Sequence, residues 1–130
     1  MGEADNIRQI NSDVEAQKKK DEEAERRRQR VSDVQSRRQA RKNFRESFRA
    51  RCLEEIKKEA SEGKKEARIW IAGHQDGDLY RPYYQERLKL TKNFLIKEGF
   101  TVEVFSFTDN SDPEDYLRER ETHGGLLVKW

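Results

Sequence analysis

Apolar side chains are unevenly distributed along the chain. Residues 1–66 hold 17 of them, six being alanine, whereas residues 69–130 hold 24, nearly all large. Within the second stretch the spacing changes character several times. Ile69 and Ile71 flank Trp70, the period-two signature of a strand over 68–72. Tyr84, Leu88, Thr91 and Leu95 then recur at three and four residues, with Tyr83, Leu90 and Phe94 widening the stripe. Pro82 suits a first helical position and Gly99 a stop, so the spacing predicts a helix over 82–98. Phe100, Val102 and Val104 alternate before Phe105 and Phe107 change phase. A second strand there must be covered on both faces or carry a bulge near Val104. Asp112 and Pro113 look like a cap and first position for a short helix over 113–121. His123-Gly124-Gly125 is expected to break it, and 126–130 to form a last strand.

The first 62 residues read differently. They contain no proline, only Gly2, and a high density of Glu, Lys, Arg, Gln and Ala, all good helix formers. Ile7, Ile10 and Val14 fit heptad core positions, and Ala24 and Val31 continue the register. The slots between them are Gln17, Asp21 and Arg28, which makes a poor self-sufficient coiled coil. Such a helix either stays solvated or orders along another chain. Over 42–62, Phe44, Phe48, Cys52 or Leu53, Ile56 and Ala60 draw a genuine apolar stripe, and Gly63 is a plausible stop. Phe44, Phe48, Leu53 and Ile56 are therefore expected to dock this arm onto the residues after Gly63, as a second cover for the sheet in a three-layer or wrapped arrangement. The expected division is a charged helical arm over 1–62 and a small head over 63–130. The fold class is α+β: a long charged N-terminal helix, then a βαβ(α)β head with a three-stranded mixed sheet. The crossover makes the first two strands parallel, and the last strand antiparallel.

Charge sharpens this division. The chain is 42% charged with a net charge of +2. Residues 1–68 carry 20 basic and 15 acidic groups, residues 69–130 carry 8 and 11. Over 26–51 the excess is extreme, eleven basic groups against Asp33 and Glu46, and ten of the eleven are arginine. Arg37, Arg41, Arg45 and Arg49 are four apart and would stack along one side of a helix. With Arg38 and Lys42 they form the candidate partner- or phosphate-binding set, since a guanidinium fork suits carboxylate and phosphate. No interleaved aromatic platform points to single-stranded nucleic acid in particular. The bland alternative is a solvated face partly neutralised by Asp21, Glu22, Glu23 and Glu25.

Several classes drop out. No apolar run is long enough to span a membrane, the start has no secretory h-region, and Gly2 lacks a myristoylation context. The expected location is intracellular, cytoplasmic or within a virion if the source is viral. One cysteine makes neither an internal disulfide nor, with two histidines, a zinc site, so Cys52 is expected to be a small buried hydrophobe. Metal and cofactor are both expected to be none. His74, Asp76 and Asp78, in the loop after the first strand, are the candidate ligand set, because open α/β sheets place ligands there. Turn formation is the plainer explanation of those residues.

Two resemblances add to this. R-I-W-I-A-G, a Tyr-rich helix and K-E-G-F-T-V-E-V, over 68–105, resemble the opening β-α-β of nucleoside deoxyribosyltransferase-like proteins, which implies that topology. The layout of a charged helical arm and a compact α/β end finishing in L-V-K-W resembles small virion or assembly proteins of large DNA viruses and phages. The function expected is a non-enzymatic structural or assembly protein with no catalytic residue. Its arginine-rich arm binds an acidic protein partner and its head anchors it in an oligomer or larger assembly, with self-association. The alternatives are a nucleic-acid-binding module that uses 26–51 on phosphates, and a small ligand-binding or enzyme domain built on the 73–78 loop.

Overall fold

The structure is a computed structural model that describes residues 2–73, 76–108 and 121–130. The expected helix over 113–121 and the position of His74 lie outside the described residues. By contacts the chain divides into Met1–Gln35 and Ser36–Trp130. The amphipathic segment 42–62 therefore falls within the unit that contains the sheet. The first unit is helical, part of α1 (Glu3–Asn43), which carries Glu3 and Asp5 in its first turn as the helix dipole favours.

In the second unit α1 passes through a π-helical turn at Phe44–Phe48 into α2 (Arg49–Ser61). The turn is closed by the Arg49 N–H donating to the Phe44 carbonyl. The Ser47 hydroxyl donates to the Asn43 carbonyl at 3.2 Å, and Asn43 Nδ2 donates to Ser47 Oγ at 3.2 Å. Side-chain bonds of this kind loosen a helical turn. The wide turn keeps one face pointed inward. Ala40, Phe44, Phe48, Cys52 and Ile56 are all buried and spaced by four. On an α-helix that spacing drifts about 40° per step, about 160° over the five residues, and one inserted residue returns about 100° of it. Leu53, expected in this stripe, is only half-buried and outside the core cluster, and Cys52 takes the position.

α2 ends at Gly63 (φ +84°), where the Lys64 N–H reaches the Glu59 carbonyl and the Gly63 N–H the Ala60 carbonyl. β1 (Glu66–Ala72), α3 (Pro82–Lys97), β2 (Thr101–Thr108) and β3 (Thr122–Lys129) come next. Pro82 opens α3 and Gly99 (φ +98°) closes it, in line with the spacing of the sequence. The strand order is β1-β3-β2, with both ladders antiparallel. The sheet is thus antiparallel and not the expected mixed one: β1 and β2 run in the same direction, but β3 lies between them and no two parallel strands are neighbours.

Three details differ from expectation. His123, Gly124 and Gly125 are inside β3 rather than ahead of it. A Cβ on Gly124 would collide with the Phe105 carbonyl oxygen, and one on Gly125 with the Ile69 carbonyl oxygen. The glycines therefore let a central strand fit closely between its neighbours. The ladder irregularity falls at Trp70/Ala72 in β1, and β2 pairs in continuous register. Neither expected alternative holds: β2 has apolar residues on both faces, but Val104 and Phe107 are exposed.

The third difference is the layering. Ala67, Ile69, Ile71, Leu126 and Val128 share one sheet face and one core cluster with Phe44, Phe48, Ile56 and Leu95. Phe44 meets Phe94 of α3 edge-on at 6.0 Å between centroids. Both helical layers thus lie on the same face, so the described residues form two layers where a three-layer or wrapped arrangement was expected. On the opposite face Trp70 pairs across the ladder with Gly125, and Phe105 and Phe107 stand edge-on to it at 5.1 and 5.8 Å.

Candidate interaction surface

The basic stretch is built on the helical run that supplies the core stripe. Residues 37, 41, 45 and 49 each come one position after a buried or half-buried residue, so the row lies beside the docked face. Its members do different things. Arg41 Nε lies 3.4 Å from Glu86 Oε1 on α3, and also donates to the Arg37 carbonyl at 3.4 Å. The Arg49 guanidinium sits 5.8 Å from the Phe94 ring centroid. These two arginines help fasten the helical run to α3. Arg37, Arg38, Lys42 and Arg45 are exposed and make no ion pair among the described residues. The six expected residues are therefore not one equivalent set. All six are exposed, but Arg41 and Arg49 touch α3 while the other four have no ion pair among the described residues.

The two aromatics in the stretch, Phe44 and Phe48, are buried. Their rings are unavailable for stacking on bases, which is how basic grooves usually hold single strands.

The loop after β1 is organised by its own carboxylates. Asp76 Oδ2 accepts from the Gly73 N–H at 2.9 Å, and Asp78 Oδ1 accepts from the Tyr80 N–H at 3.0 Å. The Tyr84 hydroxyl donates to the Asp76 carbonyl at 2.8 Å. Burial first, then the Asp76 carboxylate, raises the Tyr84 phenol above its ordinary value. Both aspartates thus close turns, and among the described residues no cluster of His, Cys, Asp or Glu could hold a metal ion.

Arg87 was not among the expected site residues. It lies inside the stripe of α3, between Tyr83 and Thr91. Its guanidinium is 4.3 Å from the Phe48 ring centroid and 5.0 Å from that of Tyr83. Nη1 donates to the Ile71 carbonyl at 3.2 Å, and Nη2 donates to Asn43 Oδ1 and to the Tyr83 hydroxyl, each at 2.9 Å. One side chain thereby joins α1, the π turn, β1 and α3. A charged residue within an apolar stripe was the available signal, because such a residue must find partners inside. Cys52 lies in the same region. Burial pushes its thiol up to about 12, against the opposing pull of Arg87 and Arg51. A thiol held protonated is a poor nucleophile.

Among the described residues no helix is long and apolar enough to cross a membrane. No family model matches the chain, and neither the curated proteins nor the solved structures give a match.

Proposed function

We propose that this chain is a non-enzymatic structural or assembly protein whose basic helical stretch engages an acidic protein surface. The observation that carries this reading is the group Arg37, Arg38, Lys42 and Arg45, exposed and without an ion pair among the described residues. Four cations so close together on one helical run set up a strong local positive field. Acidic protein is favoured over nucleic acid because the neighbouring aromatics face the core. The head offers an anchoring element as well. Among the described residues β1 and β2 are both edge strands, and an edge presents backbone groups to which a further strand can add. A catalytic role for the 73–78 loop has less support, since Asp76 and Asp78 already close turns.

The test is fluorescence anisotropy with a labelled poly-glutamate peptide and a labelled duplex DNA of equal charge, over a range of salt. Acidic-peptide binding at moderate salt, lost in a variant carrying Arg37→Glu, Arg38→Glu, Lys42→Glu and Arg45→Glu, is the expected result. Preferential binding to the duplex, with a steep salt slope, would favour the nucleic-acid module instead. No binding to either probe would remove the electrostatic reading.

A further inference from the structure

β2 is the most exposed strand of the sheet. None of its residues is buried, although Val102, Val104, Phe105 and Phe107 are apolar. Ile69, Leu126 and Val104 stand in one row across the ladders, on the face that the helices cover, at 5%, 0% and 49% exposure. The helical layer therefore stops short of β2. The outer edge of this strand is also undefended. Proteins commonly blunt an edge with proline, lysine, a bulge or charges. β1, the other edge, has the irregularity at Trp70/Ala72 and carries Glu66 and Arg68. β2 pairs in continuous register, has no proline or lysine, and carries one charge, Glu103, which lies 3.9 Å from Lys129 of the neighbouring strand.

The ladder fixes which backbone groups this edge offers. The Phe105 carbonyl oxygen lies against Gly124, so it points into β3. Alternate residues of an antiparallel strand turn their N–H and C=O to opposite sides. Val102, Val104, Ser106 and Thr108 therefore present theirs outward, where among the described residues no strand meets them. A helix uses its own backbone groups internally, so the protein element that fits this row is another extended strand.

We infer that β2 pairs with β2 of a second copy of this chain, antiparallel about a two-fold axis at Phe105, joining two three-stranded sheets into one of six. The strand is complementary to itself in that register. Val102 meets Thr108 and Val104 meets Ser106, each twice, so every outward residue finds an outward partner. A centre one residue either way leaves one of them out, and a centre at Glu103 sets that carboxylate against its own copy. With the centre at Phe105, Glu103 falls opposite Phe107. The two Phe105 rings fall in a non-hydrogen-bonded pair, where side chains approach most closely. An axis perpendicular to the sheet keeps the helices of both copies on one side, away from the join. The inference rests on the anchoring part of the function proposed above, narrowing the partner there to a second copy, and is independent of the arginine row.

The experiment uses the full chain. Sedimentation velocity at about 100 μM should show a dimer that persists in about 0.5 M salt, since backbone hydrogen bonds and apolar contacts are little screened. The charge-reversed variant at Arg37, Arg38, Lys42 and Arg45 should dimerise like the parent, so this result and the peptide-binding result are read separately. Ser106→Pro removes an outward N–H and should weaken the dimer at least about tenfold. Val104→Lys, at an exposed side chain, should do the same and gives a second reading should the proline unfold the sheet. Circular dichroism tracks the fold of each variant. The register is read from Glu103→Cys, Val104→Cys and Phe105→Cys in a glutathione redox buffer, where the buried Cys52 stays out of the exchange. Strand rise and spacing place the like Cα atoms about 14, 8 and 4.5 Å apart, and a disulfide spans up to about 7 Å. Phe105→Cys alone should therefore give the disulfide-linked dimer readily. A monomer at about 100 μM, or a dimer that salt dissociates, would overturn the inference. So would Val104→Lys as dimeric as the parent, or faster linking through Glu103→Cys or Val104→Cys than through Phe105→Cys.

Discussion

Replacing Phe48 by alanine tests the central packing claim, that the helical stripe and the sheet share one core. The ring is 6% exposed. It sits in the π turn, within the cluster that includes Ile71, Leu95 and Val128, with the Arg87 guanidinium 4.3 Å from its centroid. Truncating a buried Phe to Ala costs about 3–5 kcal/mol through lost transfer energy and the cavity left behind. Losing the ring beneath a largely desolvated guanidinium adds about 1 kcal/mol. A domain of this size has about 5–15 kcal/mol in total, so the substitution removes a large share of it. At about 4–8 °C per kcal/mol the melting point falls by roughly 15–50 °C. Trp70 and Trp130 both lie in the Ser36–Trp130 unit, so urea unfolding monitored by tryptophan fluorescence reports on that unit alone. The matched control is Leu53→Ala, five residues on but only half-buried, with an expected cost below about 1.5 kcal/mol. If Phe48→Ala unfolds within about 1 kcal/mol of the parent, or Leu53→Ala costs as much as Phe48→Ala, the shared-core account is refuted.

Three further outcomes are expected. Gly125→Ala should destabilise the sheet by about 1–3 kcal/mol or more, because the added methyl meets the Ile69 backbone and only a strand shift can relieve it; a neutral urea midpoint would contradict the close fit of β3. The Cys52 thiol should react with a disulfide reagent in the folded protein far more slowly than a free thiol, with full reactivity appearing over the urea transition; prompt labelling at neutral pH would contradict its burial. Lys64 Nζ lies 2.6 Å from Glu59 Oε2, which holds the Glu59 carboxyl below its ordinary 4.5 and raises Lys64 above its ordinary 10.5. The carboxylate's contribution is present above the unfolded value and lost as pH falls through the folded one. The ammonium's is present below its unfolded value and lost as pH rises through the folded one, so the pair is whole between about 4.5 and 10.5. Glu59→Gln should flatten the acid side of a stability–pH curve measured at low salt, and an unchanged acid side would contradict the pairing.

The elements legible in the sequence were those fixed by local spacing and end signals. Pro82 and Gly99 bounded α3, the Ile69/Ile71 alternation gave β1, and the Phe44–Ile56 stripe marked the docking face. What was hidden depended on residues distant in the chain. Gly124 and Gly125 look like breakers because glycine is most often a turn residue. Here they sit where two neighbouring strands leave no room for a side chain. The layer count was missed because periodicity says that a face is buried, not which face of a sheet buries it. The π turn left no sign, since Phe, Arg, Glu and Ser are compatible with an ordinary helix. In the interaction surface, charge spacing located the arginine row. All six face water, and only the positions of Glu86 and Phe94 on α3 separate Arg41 and Arg49, which touch that helix, from the other four.

The strand order has a consequence for synthesis. β1 and β2 are made first, yet among the described residues each finds its ladder partner only in β3, so the backbone groups along both lack that ladder until β3 has left the ribosome. A nascent chain stalled after β2 and before β3 carries two orphan strands and no completed sheet for its helices to cover. Translation speed ahead of β3 should therefore govern how long an aggregation-prone intermediate persists.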